Sequence, residues 1–292
     1  MKPAPFDYHR ASSIEEAADL LAQTGGKVLA GGQSLVPLMS MRLASPRALV
    51  DINGVPALDR IDVDDAAVRI GATVRHRALE LHDSAFAANP LLRQALCHVA
   101  HPTIRNRGTT VGSLVHADPA AEMPAVLALL AGDVEVVRTG DRRRTIPAGE
   151  LFVGPLESSL AADEVAVAAS FPNPPPGSGT SWVELSRRRG DYALVGVGAV
   201  VALTPEGILL SARLALVSVA ATPIVVDVSQ AAGTTSYDEI DWSDAIDQAD
   251  AAIDPEADIH ASADYRRRLA RVLARRALDE ALAAAVPAPV GV

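Results

Sequence analysis

Lys27-Val28-Leu29-Ala30-Gly31-Gly32-Gln33-Ser34-Leu35-Val36-Pro37 is the stretch from which the fold is read. A short apolar run, Val28 to Ala30, leads into two glycines, and a second apolar run begins at Leu35 and continues to Met41. An apolar run broken by paired glycines reads as a buried strand that ends in a tight loop. Without Cβ atoms, the two residues let successive N–H groups turn toward one point, which suits an anion such as phosphate. Two readings stand at this stage. The loop holds the pyrophosphate of a dinucleotide, or Gly31-Gly32 is only a sharp turn between a strand and a helix.

Upstream, Ser13-Ile14-Glu15-Glu16 forms a capping-box pattern. It predicts a helix with Ala17, Leu20 and Leu21 on one face, ended by Gly25-Gly26. Downstream, Leu49 to Ile52 and Val68 to Val74 read as strands. Alternating helix and strand suit a split α+β unit. Pro90 to His101 reads as a helix with Cys97 as a small buried hydrophobe, Ala120 to Leu130 as a second helix, and Val134 to Val137 as a strand. The run Pro172 to Gly179 is too rich in Pro and Gly for a core element and marks a boundary between domains 1–176 and 177–292. Beyond it, Trp182 to Leu185, Ala193 to Leu203 and Ile208 to Val219 predict a three-stranded antiparallel meander. Asp244 to Ile253 and Ala263 to Ala285 follow as helices, the latter with Leu269, Val272, Leu273 and Leu278 inward. Asp250 to Asp258 reads as an acidic loop.

A second polar segment spans residues 101–122. In it, Arg105-Asn106-Arg107-Gly108-Thr109-Thr110-Val111-Gly112-Ser113 gathers glycines, hydroxyls and guanidinium groups. Hydroxyls and N–H groups satisfy phosphate and ribityl oxygens, and arginines neutralise charge. Asp118 and Glu122 follow near a helix start. A carboxylate there can accept from a ribose or ribityl hydroxyl, or, for Asp118, cap the helix. Two glycine-bearing loops favour a dinucleotide over a lone phosphate. The nicotinamide fingerprint is missing, because Gly196-Val197-Gly198 sits in a strand and has no third glycine. A Walker A loop is excluded because Val28 follows Gly26-Lys27. Gly32-Gln33-Ser34-Leu35-Val36 falls short of a nucleophile elbow at Val36. His98, His101, His116 and Asp118 form a weak candidate for a metal site, set against histidines that simply hydrogen-bond.

The composition narrows the class. The chain has 292 residues, 49% of them hydrophobic, enough for a sizeable core. A net charge of −10 and the absence of a basic tail argue against nucleic acid and membrane-surface partners. Arg142-Arg143-Arg144 reads as a solvated loop. Cys97 is the only cysteine, so this chain alone holds no disulfide and no Fe–S cluster. With no signal-like apolar core at the N-terminus and no spanning apolar run, a soluble cytoplasmic protein is expected.

The ordered set Ala30-Gly31-Gly32-Gln33-Ser34-Leu35, Arg105-Asn106-Arg107-Gly108-Thr109, Leu114 to Glu122 and Arg188-Arg189-Gly190-Asp191-Tyr192-Ala193-Leu194-Val195 resembles one family. It is that of the FAD-binding medium subunits of molybdenum hydroxylases, the carbon monoxide dehydrogenase and xanthine dehydrogenase family. The resemblance runs through to Asp258-Ile259-His260-Ala261-Ser262-Ala263-Asp264-Tyr265-Arg266-Arg267. It implies an α+β fold: an FAD-binding domain of the vanillyl-alcohol-oxidase (PCMH) type in two α/β subdomains, then a smaller C-terminal domain. It also implies that Leu29, Ala30, Gly31, Gly32, Gln33, Ser34 and Leu35, with Thr109, Gly112 and Ser113, hold the FAD pyrophosphate. Asp118 and Glu122 then belong to the sugar-like chain, and Tyr192 to the isoalloxazine. On its own residues, Tyr192 reads as a core aromatic with a bonded hydroxyl. Val111-Gly112 departs from a glycine pair found in many relatives, and Glu184 stands where some distant relatives carry a lysine. The implied role is electron transfer without substrate chemistry, so no catalytic residue is named; the alternative, motivated by Val111, is a non-catalytic scaffold subunit whose flavin site has decayed. A molybdopterin-binding large subunit oxidises the substrate, a 2Fe–2S small subunit passes electrons on, and a quinone, nicotinamide or oxygen receives them. The expected assembly is a dimer of heterotrimers.

Overall fold

The computed structural model describes residues 1–233 and 236–285. They form two compact units that do not follow chain order. The first gathers Met1–Ala85, His101–Asp118 and Ala131–Phe171, and the second Phe86–Ala100, Pro119–Leu130 and the residues from Pro172 onward.

The first unit is built on two main sheets and also holds a two-stranded one, Phe152–Gly154 with Glu157–Ser158. In the smaller main sheet, Ala48–Asp51 lies between Asp7–Arg10 and Lys27–Leu29, all parallel. The helix Ile14–Thr24 makes the first crossover. Ser13 caps it through a bond from the Glu16 N–H to its Oγ, and Gly25 closes it in the left-handed region at φ 59°. The Glu16 carboxylate reaches back to the N–H of Ser12, one residue earlier than the capping box predicts. This helix packs on strands of both sheets, burying Ala17, Ala18 and Leu21, while Leu20 is only half-buried. The larger sheet runs Ile61–Val63, Ala67–Gly71, Val165–Pro172, Asp133–Arg138, Arg142–Pro147. Arg142 to Arg144 therefore lie on an edge strand, not in a loop. Arg143 pairs with Glu135 and Arg144 with Glu164, which blunts an edge that would otherwise offer free strand pairing.

The second unit carries a four-stranded antiparallel sheet, not the expected three strands. Its order is Ser178–Ser186, Ala193–Leu203, Leu209–Val217, Ile224–Asp227. The fourth strand has four residues right after Pro223, too short for its alternation to be read. The sheet's faces separate by residue parity, as the pleat requires. Gly179 and Ser181 meet the long helix Ala263–Ala285, whereas Thr180 meets Gln94 of the helix Pro90–Leu96. Trp182 and Gly198 share that second side with Leu129 of the helix Glu122–Leu129. At Gly179 the helix backbone replaces a side chain, since a Cβ there would run into Ala281 O and Ala285 N. So close an approach favours small residues, and the long helix buries Ala270, Ala274, Ala277 and Ala281. Val272, expected inward, is 57% exposed.

Three further expectations are corrected. The helix Pro90–Leu96 stops one residue before Cys97, which is exposed. Asp250 ends in the helix Ser243–Ala252 and bonds Arg267. Asp258 is no bare acid either. N–H groups of His260 and Ala261 and the Arg266 guanidinium hold its carboxyl down to about 2, against some desolvation.

Candidate phosphate-binding loops and their supports

The strand Lys27–Leu29 stops one residue short of the apolar run's end at Ala30 and lies at the sheet edge, half-exposed and not buried as expected; the chain then turns through Ala30 to Ser34 into the helix Leu35–Ser40. Gly32 takes φ +71°, a conformation that strains any residue with a side chain. Among the described residues, the N–H groups of Gly31, Gly32, Gln33 and Ser34 donate to no acceptor within the chain. The loop is shaped by its carbonyls instead. Gly32 O accepts from Val36 N, Ser34 O from Leu38 N, and Gly31 O from the Gln33 amide. Ser34 sits in ordinary right-handed backbone at φ −101°, ψ −48°, without the sharp strained turn of a nucleophile elbow.

The second loop lies directly against the first. A Cβ built on Gly31 would stand 2.5 Å from Arg107 O, 2.8 Å from Gly108 Cα and 3.0 Å from Thr109 N. Only a glycine permits this backbone-to-backbone contact. The segment 101–122, read as one polar loop, contains two short helices, Pro102–Arg105 and Thr110–His116. Thr109 caps the second. Its hydroxyl accepts from Gly112 N at 3.1 Å, and a Cβ on Gly112 would stand 2.5 Å from that hydroxyl. Val111 is buried within the helix, and Ser113 N bonds back to Thr109 O.

Several side chains that the sequence reading passed over hold this pair of loops. Asn53 Nδ2 donates to Ala30 O at 2.8 Å and to Asp51 Oδ1, while its Oδ1 accepts from Arg75 Nη2 at 2.6 Å. Arg75 Nη1 donates to Arg107 O at 2.6 Å. Burial lowers the Arg75 pKa, and the neighbouring Arg107 charge lowers it further. Burial pushes the Asp51 carboxyl up, but bonds from Tyr8 and Asn53 outweigh it and hold the group down. Beneath the second loop, His76 N donates to Gly108 O, and the buried ring shares a bond with the Thr110 hydroxyl. Desolvation, with Arg105 nearby, drops this imidazole to about 4, so it is neutral at physiological pH. Arg105, expected to neutralise a ligand, is instead buried in a two-pronged pair with Glu80, at 3.0 and 3.2 Å. Burial raises the Glu80 carboxyl, but Arg77 and Arg105 outweigh it and hold it ionised. No sequence motif marks Asn53, Arg75 or Glu80, since each acts through partners distant in the chain.

The other predicted residues are placed differently. Asp118 follows the left-handed cap Ala117 in the first unit. It is not the N-cap of the helix Glu122–Leu129, a position taken by Ala121. Glu122 opens that helix in the second unit and is buried. Tyr192 also belongs to the second unit, at the end of a bend where Asp191 accepts from Tyr192 N and pairs with Arg187. It is 69% exposed, not a core aromatic. His101 precedes the helix Pro102–Arg105 and His116 sits in the last turn of Thr110–His116, while His98 belongs to the other unit. No group of three or more His, Cys, Asp or Glu side chains is placed to hold a metal ion among the described residues. No helix among them is long and apolar enough to cross a membrane.

Among the described residues, the pair of loops presents main-chain N–H groups without acceptors in the chain and the Arg75 guanidinium bonded beside them, a donor set suited to an anion such as the FAD diphosphate. Comparison with known proteins identifies the family. The FAD-binding domain of molybdopterin dehydrogenases matches residues 4–174, and the CO dehydrogenase flavoprotein C-terminal domain matches residues 181–281. The chain is 40% identical to the 6-hydroxypseudooxynicotine dehydrogenase complex subunit alpha of Paenarthrobacter nicotinovorans, covering 98% of each. It is 35% identical to the carbon monoxide dehydrogenase medium chain of Afipia carboxidovorans, over 98% of this chain and 99% of that one. Its fold superposes on a chain of carbon monoxide dehydrogenase from Hydrogenophaga pseudoflava with a TM-score of 0.90 at 34% identity, over 97% of this chain and 99% of the other.

Proposed function

The chain belongs to the FAD-binding medium subunits of the molybdenum hydroxylases, an oxidoreductase family, and from that membership we propose the following division of work among its residues. The N–H groups from Gly31 to Ser34, with Leu29, Ala30 and Leu35 framing them, bind one side of the FAD diphosphate. Thr109, Gly112 and Ser113 form the other side. Asp118 and Glu122 serve the ribityl and ribose hydroxyls, and Tyr192 stands by the isoalloxazine. In chain order these duties fall to a domain of residues 1–176 and a smaller one of 177–292. The observation that carries this reading is the contact of Gly31 with Arg107–Thr109 beside four unclaimed N–H groups.

When bound, FAD supplies a store that takes electrons singly from a 2Fe–2S partner and gives up a pair to a quinone, a nicotinamide or oxygen. The chain's own residues bind and orient that group and adjust the charge around it. Its relatives are described as a complex subunit and as a medium chain. We assign this chain the same place, between a molybdopterin-binding large subunit and a small iron–sulfur subunit, in a cytoplasmic dimer of heterotrimers. Its single cysteine accords with clusters carried on another polypeptide.

Purified protein is expected to show a flavin absorption band and to release FAD, not FMN, on heating. Gly31→Val is expected to weaken FAD binding on the order of 100-fold, because a branched side chain must displace the Arg107–Thr109 backbone. Circular dichroism of that variant should stay native. A colourless wild type that no added FAD restores, or a Gly31→Val protein that keeps its flavin, overturns the assignment.

A further inference from the structure

Loops one and two touch at glycine backbone, a contact that fixes how close they come but not their spacing along the diphosphate. One chain of hydrogen bonds runs from one loop to the other through side chains. Ala30 O is held by Asn53 Nδ2, Asn53 Oδ1 by Arg75 Nη2, and Arg107 O by Arg75 Nη1. Asn53 is itself fixed to the end of the central strand, since both its N–H and its Nδ2 donate to Asp51 Oδ1. The Asp51 carboxylate also accepts from the Tyr8 hydroxyl on the neighbouring strand. Arg75 thus brings a second guanidinium to the base of a loop that already carries Arg107. Burial lowers the Arg75 pKa, the Arg107 charge lowers it further, and Asp51 offsets this only in part. Like charges held together beside open N–H donors make a place that an anion stabilises.

We propose that Asn53 and Arg75 act together as a strut that sets the spacing of the two loops, so that affinity for a diphosphate depends on it. They are positioning residues: Arg75 spends two of its donors on Arg107 O and Asn53, and the Asn53 side chain bonds Leu29 O, Ala30 O, Asp51 and Arg75. A lysine at position 75 keeps the charge but cannot make both bonds, because an ammonium lacks the planar fork. This inference rests on the FAD reading of the loops and adds to it a pair of residues outside both glycine motifs.

The test uses the full-length apo chain, titrated with FAD and, in competition, with ADP, which carries the same diphosphate without the flavin. Arg75→Lys and Asn53→Ala are each expected to weaken FAD and ADP by the same factor, about tenfold, with unchanged circular dichroism. The double variant should lose little more than either single one, because both break the same connection. Equal wild-type and Arg75→Lys affinities overturn the strut and leave the FAD reading standing. So do losses that add fully in the double variant, or a loss for FAD without one for ADP. A wild type that binds neither ligand overturns the FAD reading itself. Arg75→Lys preserves charge and bulk and decides the matter if Asn53→Ala does not fold.

Discussion

The glycines of the two units solve the same steric problem for opposite ends. At Gly31 the missing Cβ lets one loop lie on the backbone of another, and the neighbouring N–H groups are left without partners. At Gly179 the missing Cβ lets a strand lie against the backbone of the long helix. There the strand is paired along one edge with Ala193–Leu203 in an antiparallel ladder. Gly198 is similar: its open face is filled by the Trp182 ring and Leu129. Close approach alone therefore does not distinguish a ligand site from dry packing. What distinguishes them is whether the main-chain donors nearby are already used.

Substitution at Gly179 should give the largest effect on stability and sharpen that contrast. Gly179→Val would force the helix off the sheet, costing about 3 kcal/mol or more and lowering the melting temperature by roughly 10 °C. The loop variant Gly31→Val should instead lose flavin at nearly native stability. If both variants simply unfold, or both simply lose flavin, the contrast fails.

Arg105→Met should rank next. It removes the main partner of Glu80 from a pair whose side chains are only 7% and 11% exposed, leaving Arg77 to compensate. The expected loss is about 2 kcal/mol, read by urea unfolding. A smaller loss than an exposed pair would give, under about 0.5 kcal/mol, would show that the second loop does not depend on this support.

In pH dependence the two units should have opposite slopes. His76 is buried neutral, with its folded pKa at about 4 against 6.5 unfolded. Only the unfolded state then takes up its proton as pH falls from 6.5 toward 4, so stability is lost on acidification. On the sheet of the second unit, desolvation raises the Glu184 carboxyl to about 7 from 4.5, against a bond from the Trp182 indole. There the folded state holds the proton longer, so stability falls as pH rises from 4.5 through about 7. In melting curves across this range, His76→Gln should flatten the acid-side loss and Glu184→Gln the neutral-side loss. Identical curves for a variant and the wild type would remove that residue from the account.

Much of the local structure was legible. Ser13, Glu16 and Gly25 bracket a helix because caps act through bonds a few residues long. The unbroken apolar run Ala193–Leu203 is a buried strand's own mark. The paired glycines after Lys27–Leu29 are equally local, whereas the Thr109–Gly112 cap, though just as local, lay in a segment read as one polar loop. The failures share a different cause. Arg105 reads as a free cation until Glu80 is folded beneath it. Tyr192 and Cys97 read as buried until the bend and the helix end place them outside. Val272 follows the apolar period of the long helix, yet close packing at Gly179 turned the alanine stripe inward.

Short motifs in order were enough to suggest the family by resemblance, the class of fold it implies, and the two glycine-bearing loops proposed to meet a diphosphate, because each is written in spacings of a few residues. Three matters waited on folding: which segments gather into each unit, which arginine is spent on a carboxylate, and how Asn53 and Arg75 join Ala30 to Arg107. Those depend on contacts between residues tens of positions apart, and a buried charge or donor shows its role only once its partner is beside it.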